Sequence, residues 1–166
     1  MIDFYNKRCV ELLDVIVSNG YCVEEIDGVL TSSNDLAVQS IIDNFTLQEL
    51  KDRRCAYVDK LATDKRNKVI APYSPGEMAA WSIKRSEALA YQASGNPIDA
   101  PNLSTEATAR NVSLTTLVTK VLNDAARFSL IEAHIAGTSG RHRDAINECQ
   151  THEEISNYNY NTGWPV

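Results

Sequence analysis

The run Ser74-Pro75-Gly76-Glu77 spells out a helix start in four residues, and starts of this kind recur along the chain. Ser at N-cap accepts from the free amides of a first turn, Pro at N1 has no amide to satisfy, and Glu at N3 faces the positive helix end. The helix it opens presents Met78, Trp81, Ala88 and Leu89 and ends near Ser94-Gly95-Asn96-Pro97. Thr46 and Glu49 fit a capping box ahead of another helix, which carries Leu47, Leu50, Cys55, Val58 and Leu61. It should stop before Ala71-Pro72, because the residue preceding a proline avoids helical geometry. Ser113 caps a third, in which Leu114, Leu117, Val118, Val121, Leu122, Ala125 and Phe128 recur at three- and four-residue steps. Gly137-Thr138-Ser139-Gly140 is expected to break this helix before residues 141–149 resume it. Between these, Pro97 and Pro101 mark a loop, and Ser104 with Glu106 open a short helical turn.

The N-terminal residues read differently. Val10, Leu13, Ile16 and Val17 fall on one helical stripe that Asn19-Gly20 stops. Asp27-Gly28, between residues 21–26 and 29–31, supplies the positive φ angles of a tight hairpin turn. Ser33 or Asn34 caps a following helix that carries Leu36, Val38, Ile41, Ile42 and Phe45. The expected fold class is therefore mainly α, with a small N-terminal α+β unit (α-β-β-α) over residues 1–45. A helical domain spans 46–150, and residues 151–166 form an extended polar and aromatic tail.

A chain of 166 residues with 43% hydrophobic content can bury a core of its own; domains near this size hide roughly 70% of their unfolded surface. The net charge of −6 argues against a nucleic-acid surface and against an anionic membrane. Basic residues such as Lys51, Arg53 and Arg54 alternate with acidic ones and read as solvated helix faces. Cys9, Cys22, Cys55 and Cys149 form no Cys-x-x-Cys pair and read as buried free thiols in a reducing compartment. Met1-Ile2-Asp3-Phe4 lacks the basic and apolar regions of a signal peptide, so a cytoplasmic chain is the expectation.

Candidate chemistry is sparse. His134, His142 and His152, with Asp144, Glu148 and Cys149, lack the spacing that sets two metal ligands on adjacent turns, and they read as surface histidines. No metal and no cofactor is expected. Cys149 lies three residues before His152, which leaves a thiolate enzyme open as a third reading, without an orienting group for the pair. The sequence therefore points to work by contact and to no catalytic residues. Asn157-Tyr158-Asn159-Tyr160-Asn161 alternates amide and aromatic side chains, which suits either a contact arm or a tail folded onto its own helices. Met78, Trp81, Tyr158, Tyr160 and Trp164 are the candidate partner-binding residues.

The stretches Tyr73-Ser-Pro-Gly-Glu-Met-Ala-Ala-Trp81, Arg85-Ser-Glu-Ala-Leu-Ala-Tyr91 and Tyr160-Asn-Thr-Gly-Trp-Pro165 resemble small proteins of the tail modules of tailed bacteriophages and prophages. Thr46-Leu-Gln-Glu-Leu-Lys51 is similar to the helix start of phage tail fibre assembly proteins. The resemblance covers about 46–165 and rests on structural rather than catalytic residues. It implies a non-enzymatic, chaperone-like partner of a trimeric tail fibre, acting in the host cytoplasm and either leaving or staying in the virion. Homo-oligomerisation is the other association it allows, and a purely structural tail or baseplate part is the alternative role.

Overall fold

The computed structural model describes residues 2–165. Its elements run α1 (Val10–Ser18), β1 (Val23–Ile26), β2 (Val29–Ser32), α2 (Asp35–Asn44), α3 (Leu47–Ile70), α4 (Pro75–Ser94), α5 (Pro101–Ala109), α6 (Leu114–Glu148) and α7 (His152–Asn157), with a 3-10 turn at Pro97–Asp99. The protein is mainly α, with one two-stranded antiparallel sheet near its N-terminus.

The described residues divide into two compact units, one of 2–63 with Gly137–Trp164 and the other of Asp64–Ala136 with Pro165. These units do not follow the boundaries expected at 45 and 150. The first half of α3 buries Leu50, Arg54 and Val58 in the same unit as α1 and α2, and burial rather than chain order decides membership.

In the first unit, Asp27 and Gly28 take φ of 52° and 77°, so the hairpin turns as its sequence dictates. Asn34 caps α2 by accepting from the Ala37 amide at 3.1 Å, and Thr46 caps α3 by accepting from Glu49 at 3.1 Å. The C-terminal end of α2 is closed from a distance. Lys7 Nζ donates to the carbonyls of Ile42, Asp43 and Phe45 at 2.9–3.1 Å, placing a cation where the helix is negative. Leu12, Ile16, Val38, Ile42, Phe45, Leu50, Val58, Ile146 and Ile155 are among its buried apolar side chains. The stripe expected on α1 is corrected here: Val10 and Val17 are exposed, and Glu11, Leu12 and Ile16 face inward.

In the second unit, Ser74 caps α4 through the Glu77 amide with Pro75 in the first turn, and Gly95 ends it in the left-handed conformation. Ala88, Ala100, Leu103, Ala107, Leu117 and Val118 form its core, with Tyr91, Leu114, Val121 and Leu122 packed on them. α5 starts at Pro101, ahead of the turn expected at Ser104, because its cap lies elsewhere in the chain. The Glu87 carboxylate of α4 accepts from the amides of Asn102 and Leu103 at 3.3 and 3.0 Å.

The expected break at Gly137-Thr138-Ser139-Gly140 is absent, and α6 runs unbroken from Leu114 to Glu148. Helical glycine costs about 1 kcal/mol against alanine, and burial of Thr138 and Ser139 with Ile135 and Ile146 on either side outweighs it. Nothing lies within 4 Å of the Cβ that either glycine lacks. Gly137→Ala should therefore stabilise the protein by about 0.5–1 kcal/mol, read as a higher denaturation midpoint; a lower midpoint would mean that the helix needs its glycine.

Candidate contact surfaces

The C-terminal aromatics do not extend away from the protein. Thr138, Arg141 and His142 share one face of α6, being three and four residues apart. Thr138 Oγ1 donates to the Gly163 carbonyl at 3.0 Å, and Arg141 Nη2 and His142 Nε2 donate to that of Thr162 at 3.2 and 2.9 Å. A carbonyl only accepts, so Nε2 carries a proton, and Nδ1 pairs with the Tyr158 hydroxyl at 2.8 Å. His142 is only 1% exposed, which corrects its reading as a surface residue.

The Trp164 ring packs 5.7 Å from the His142 ring, and its Nε1 donates to the Tyr160 carbonyl at 2.8 Å. Gly163 makes this turn possible at φ 76°, and a Cβ there would stand 2.4 Å from Arg141 Nη2. Of the two placements open to this segment, the protein has the folded one. The helix α7 and the turn after it replace the expected extended tail.

Beneath Tyr160 lies a buried ion pair. The guanidinium of Arg54 sits 5.4 Å from the Tyr160 ring centre and faces the carboxylate of Glu11 on its other atoms. Arg54 Nη2 donates to Glu11 Oε2 at 2.9 Å. Nε approaches Oε1 to 2.5 Å as an ion-pair contact, out of line for a hydrogen bond. Both side chains are at most 9% exposed, so Arg54 does not belong to a solvated helix face. The pair joins α1 to α3 within the first unit.

In the second unit, Trp81 stands edge-on between Tyr73 and Phe128, with ring centres 4.9 and 5.4 Å away. Met78 lies one turn earlier on α4, and both Met78 and Trp81 are half-buried. Phe128 also lines a cleft of about 220 Å³ with Val69, Ile70, Ile131 and Ile135, and the Arg66–Glu132 ion pair at 2.7 Å forms its polar side. Leu130, on the same helix, is 72% exposed. The structure thus separates the five candidate residues: Trp81 packs on Phe128, which lines the apolar cleft, Met78 lies one turn before it on α4, and Tyr158, Tyr160 and Trp164 lie in the folded tail. The periodic run expected from the sequence ends at Phe128, so Ile131 and Ile135, further along the same helix α6, are missed.

No family model, curated protein or solved structure matches the chain.

No hydrogen bond joins Cys149 to His152 among the described residues. Cys149 Sγ donates to the Ala145 carbonyl of its own helix at 3.3 Å, and burial raises its pKa, away from the thiolate. The cysteines are all free, but only Cys9 is buried; Cys55 and Cys149 are half-buried and Cys22 is exposed. No group of three or more His, Cys, Asp or Glu is placed to hold a metal, and no helix is long and apolar enough to cross a membrane, among the described residues.

His152 opens α7 against Phe45, with ring centres 6.0 Å apart, and its buried Nε2 has no well-aligned hydrogen bond among the described residues. Burial lowers its pKa below the ordinary 6.5, and the nearby Lys7 ammonium lowers it further. Between the folded and ordinary values the unfolded chain binds the extra proton. The contribution of His152 to stability is therefore complete above about pH 6.5 and lost as pH falls through the lower folded value. His152→Gln should flatten the acid side of the stability profile in that range, measured by denaturant midpoints from pH 7.5 to 5. An unchanged slope would remove His152 from the account.

Proposed function

We propose that this protein associates with the tail fibre of a tailed bacteriophage, binding it in the host cytoplasm and aiding its assembly by contact alone. The observation that carries the reading is the apolar cleft beside Trp81 and Phe128. Pockets for small-molecule ligands usually enclose about 300–1,000 Å³, and this one, at about 220 Å³, is smaller. It has the size for one anchoring side chain of a protein partner, the kind of residue that dominates interface energies. The resemblance over residues 46–165 supplies the class of partner.

A fibre trimer must pair strands across chains, and such non-local pairing is slow and prone to wrong association. A small helical protein that holds an apolar side chain of the unassembled fibre suppresses that error and needs no turnover. In this reading Trp81 supports the binding surface through Phe128, Met78 precedes it on the same helix, and Tyr158, Tyr160 and Trp164 hold the tail in place.

Ile131→Asp puts a charge into the cleft at a half-buried position of α6. It should reduce capture of co-expressed fibre at least tenfold while the helical circular dichroism stays unchanged. Full capture by a folded Ile131→Asp protein would mean that the cleft is not the fibre contact. The structural alternative, a tail or baseplate part, predicts stoichiometric retention in purified particles.

A further inference from the structure

The hairpin offers a second surface, independent of the cleft. Its register pairs Ile26 with Val29, Glu25 with Leu30, Glu24 with Thr31 and Val23 with Ser32. In a hairpin closed by a two-residue turn, the pair flanking the turn exchanges both hydrogen bonds, and bonded pairs then alternate. Ile26 and Glu24 thus spend their backbone groups on β2, and those of Val23 and Glu25 point outward. The two edges of this sheet are treated differently. On β2 the outward amide of Ser32 donates to the Asp35 carboxylate at 2.8 Å, so the start of α2 closes that edge. On β1 Glu24, Glu25 and Ile26 are exposed, and no hydrogen bond to the outward groups of Val23 or Glu25 occurs among the described residues.

Ile26 and Val29, 56% and 40% exposed, add an apolar pair at the tip, flanked by Glu24, Glu25 and Asp27. From this arrangement we propose that the outer edge of β1 takes an extended, basic segment of a partner protein as a third strand. Backbone pairing with Val23 and Glu25 holds it, and Lys or Arg beside Glu24 and Glu25 selects it. A second copy of this chain is disfavoured at the same edge. The antiparallel registers centred on Glu24 or on Glu25 set glutamate directly opposite glutamate, and like charges so placed repel. The inference needs no fibre; it needs only a strand of this chemistry.

The test uses the whole protein and two synthetic peptides, one alternating Val and Lys and one alternating Val and Glu, read by amide hydrogen exchange and NMR titration. The Val/Lys peptide should bind at least tenfold more tightly than the Val/Glu peptide, weaken with added salt, and protect the amides of Val23 and Glu25. Glu25→Pro removes an amide that β2 does not use, and proline is tolerated on an edge strand with its nitrogen outward. This variant should keep the hairpin's cross-strand contacts and lose the peptide, whereas Glu25→Gln should retain weaker binding. Equal binding of both peptides, binding without protection of Val23 and Glu25, undiminished binding by Glu25→Pro, or no binding would each overturn the proposal.

Discussion

Arg54→Met should destabilise the first unit by about 3–5 kcal/mol, because it leaves the Glu11 carboxylate buried without its partner. The carboxylate has little recourse, since Glu11 is 3% exposed and no other cation reaches it among the described residues. Glu11→Leu combined with Arg54→Met removes both charges together and should recover most of the loss, because a buried pair and an apolar replacement of similar volume differ little in free energy. Trp81→Phe in the background leaves Trp164 as the sole tryptophan, so its fluorescence reports this unit alone during chemical denaturation. If Arg54→Met and the double variant lost equal stability, the pair would not be the interaction that matters there.

Trp164→Ala should cost about 3–5 kcal/mol, the usual range for emptying the site of a large buried aromatic. The ring is 9% exposed, packs on His142 and fixes the Tyr160 carbonyl, so its removal frees both partners. Deleting residues 158–166 should cost at least as much, since it also uncovers the Arg54 guanidinium. A contact arm would behave in the opposite way, with stability unchanged and partner capture lost. Fibre capture by a Trp164→Ala protein held below its unfolding midpoint separates the two directly.

The elements legible in the sequence are those whose signals are local. Asn34, Thr46, Ser74 and Ser113 each accept from an amide three residues on, so four residues suffice to read a start. The Asp27-Gly28 turn is legible for the same reason. Signals that arrive from afar are not. The start of α5 depends on Glu87, 15 residues before Asn102, and the inward face of α1 depends on Arg54, 43 residues after Glu11. An acidic residue that faces a core is invisible to a hydrophobic pattern. Likewise Gly137 and Gly140 read as breakers until the burial of Thr138 and Ser139 between them is seen.

The surroundings of the candidate residues are only partly legible in the sequence, for the same cause. Trp81 stands out in the sequence by its place in a well-punctuated helix, and its ring packs on Phe128, a wall of the apolar cleft. The closing aromatics announced an anchor, yet composition could not say whose surface they anchor to. Three side chains of α6 decide that question, through hydrogen bonds to carbonyls that carry no residue identity.

The proposed partnership is tested by co-expressing a tail fibre with and without this chain, then assaying soluble fibre trimer and the chain in purified particles. Soluble trimer should depend on the chain, and the two should co-purify before assembly ends. Fibre that folds equally well alone, with the chain neither bound to it nor retained in particles, would overturn the proposal.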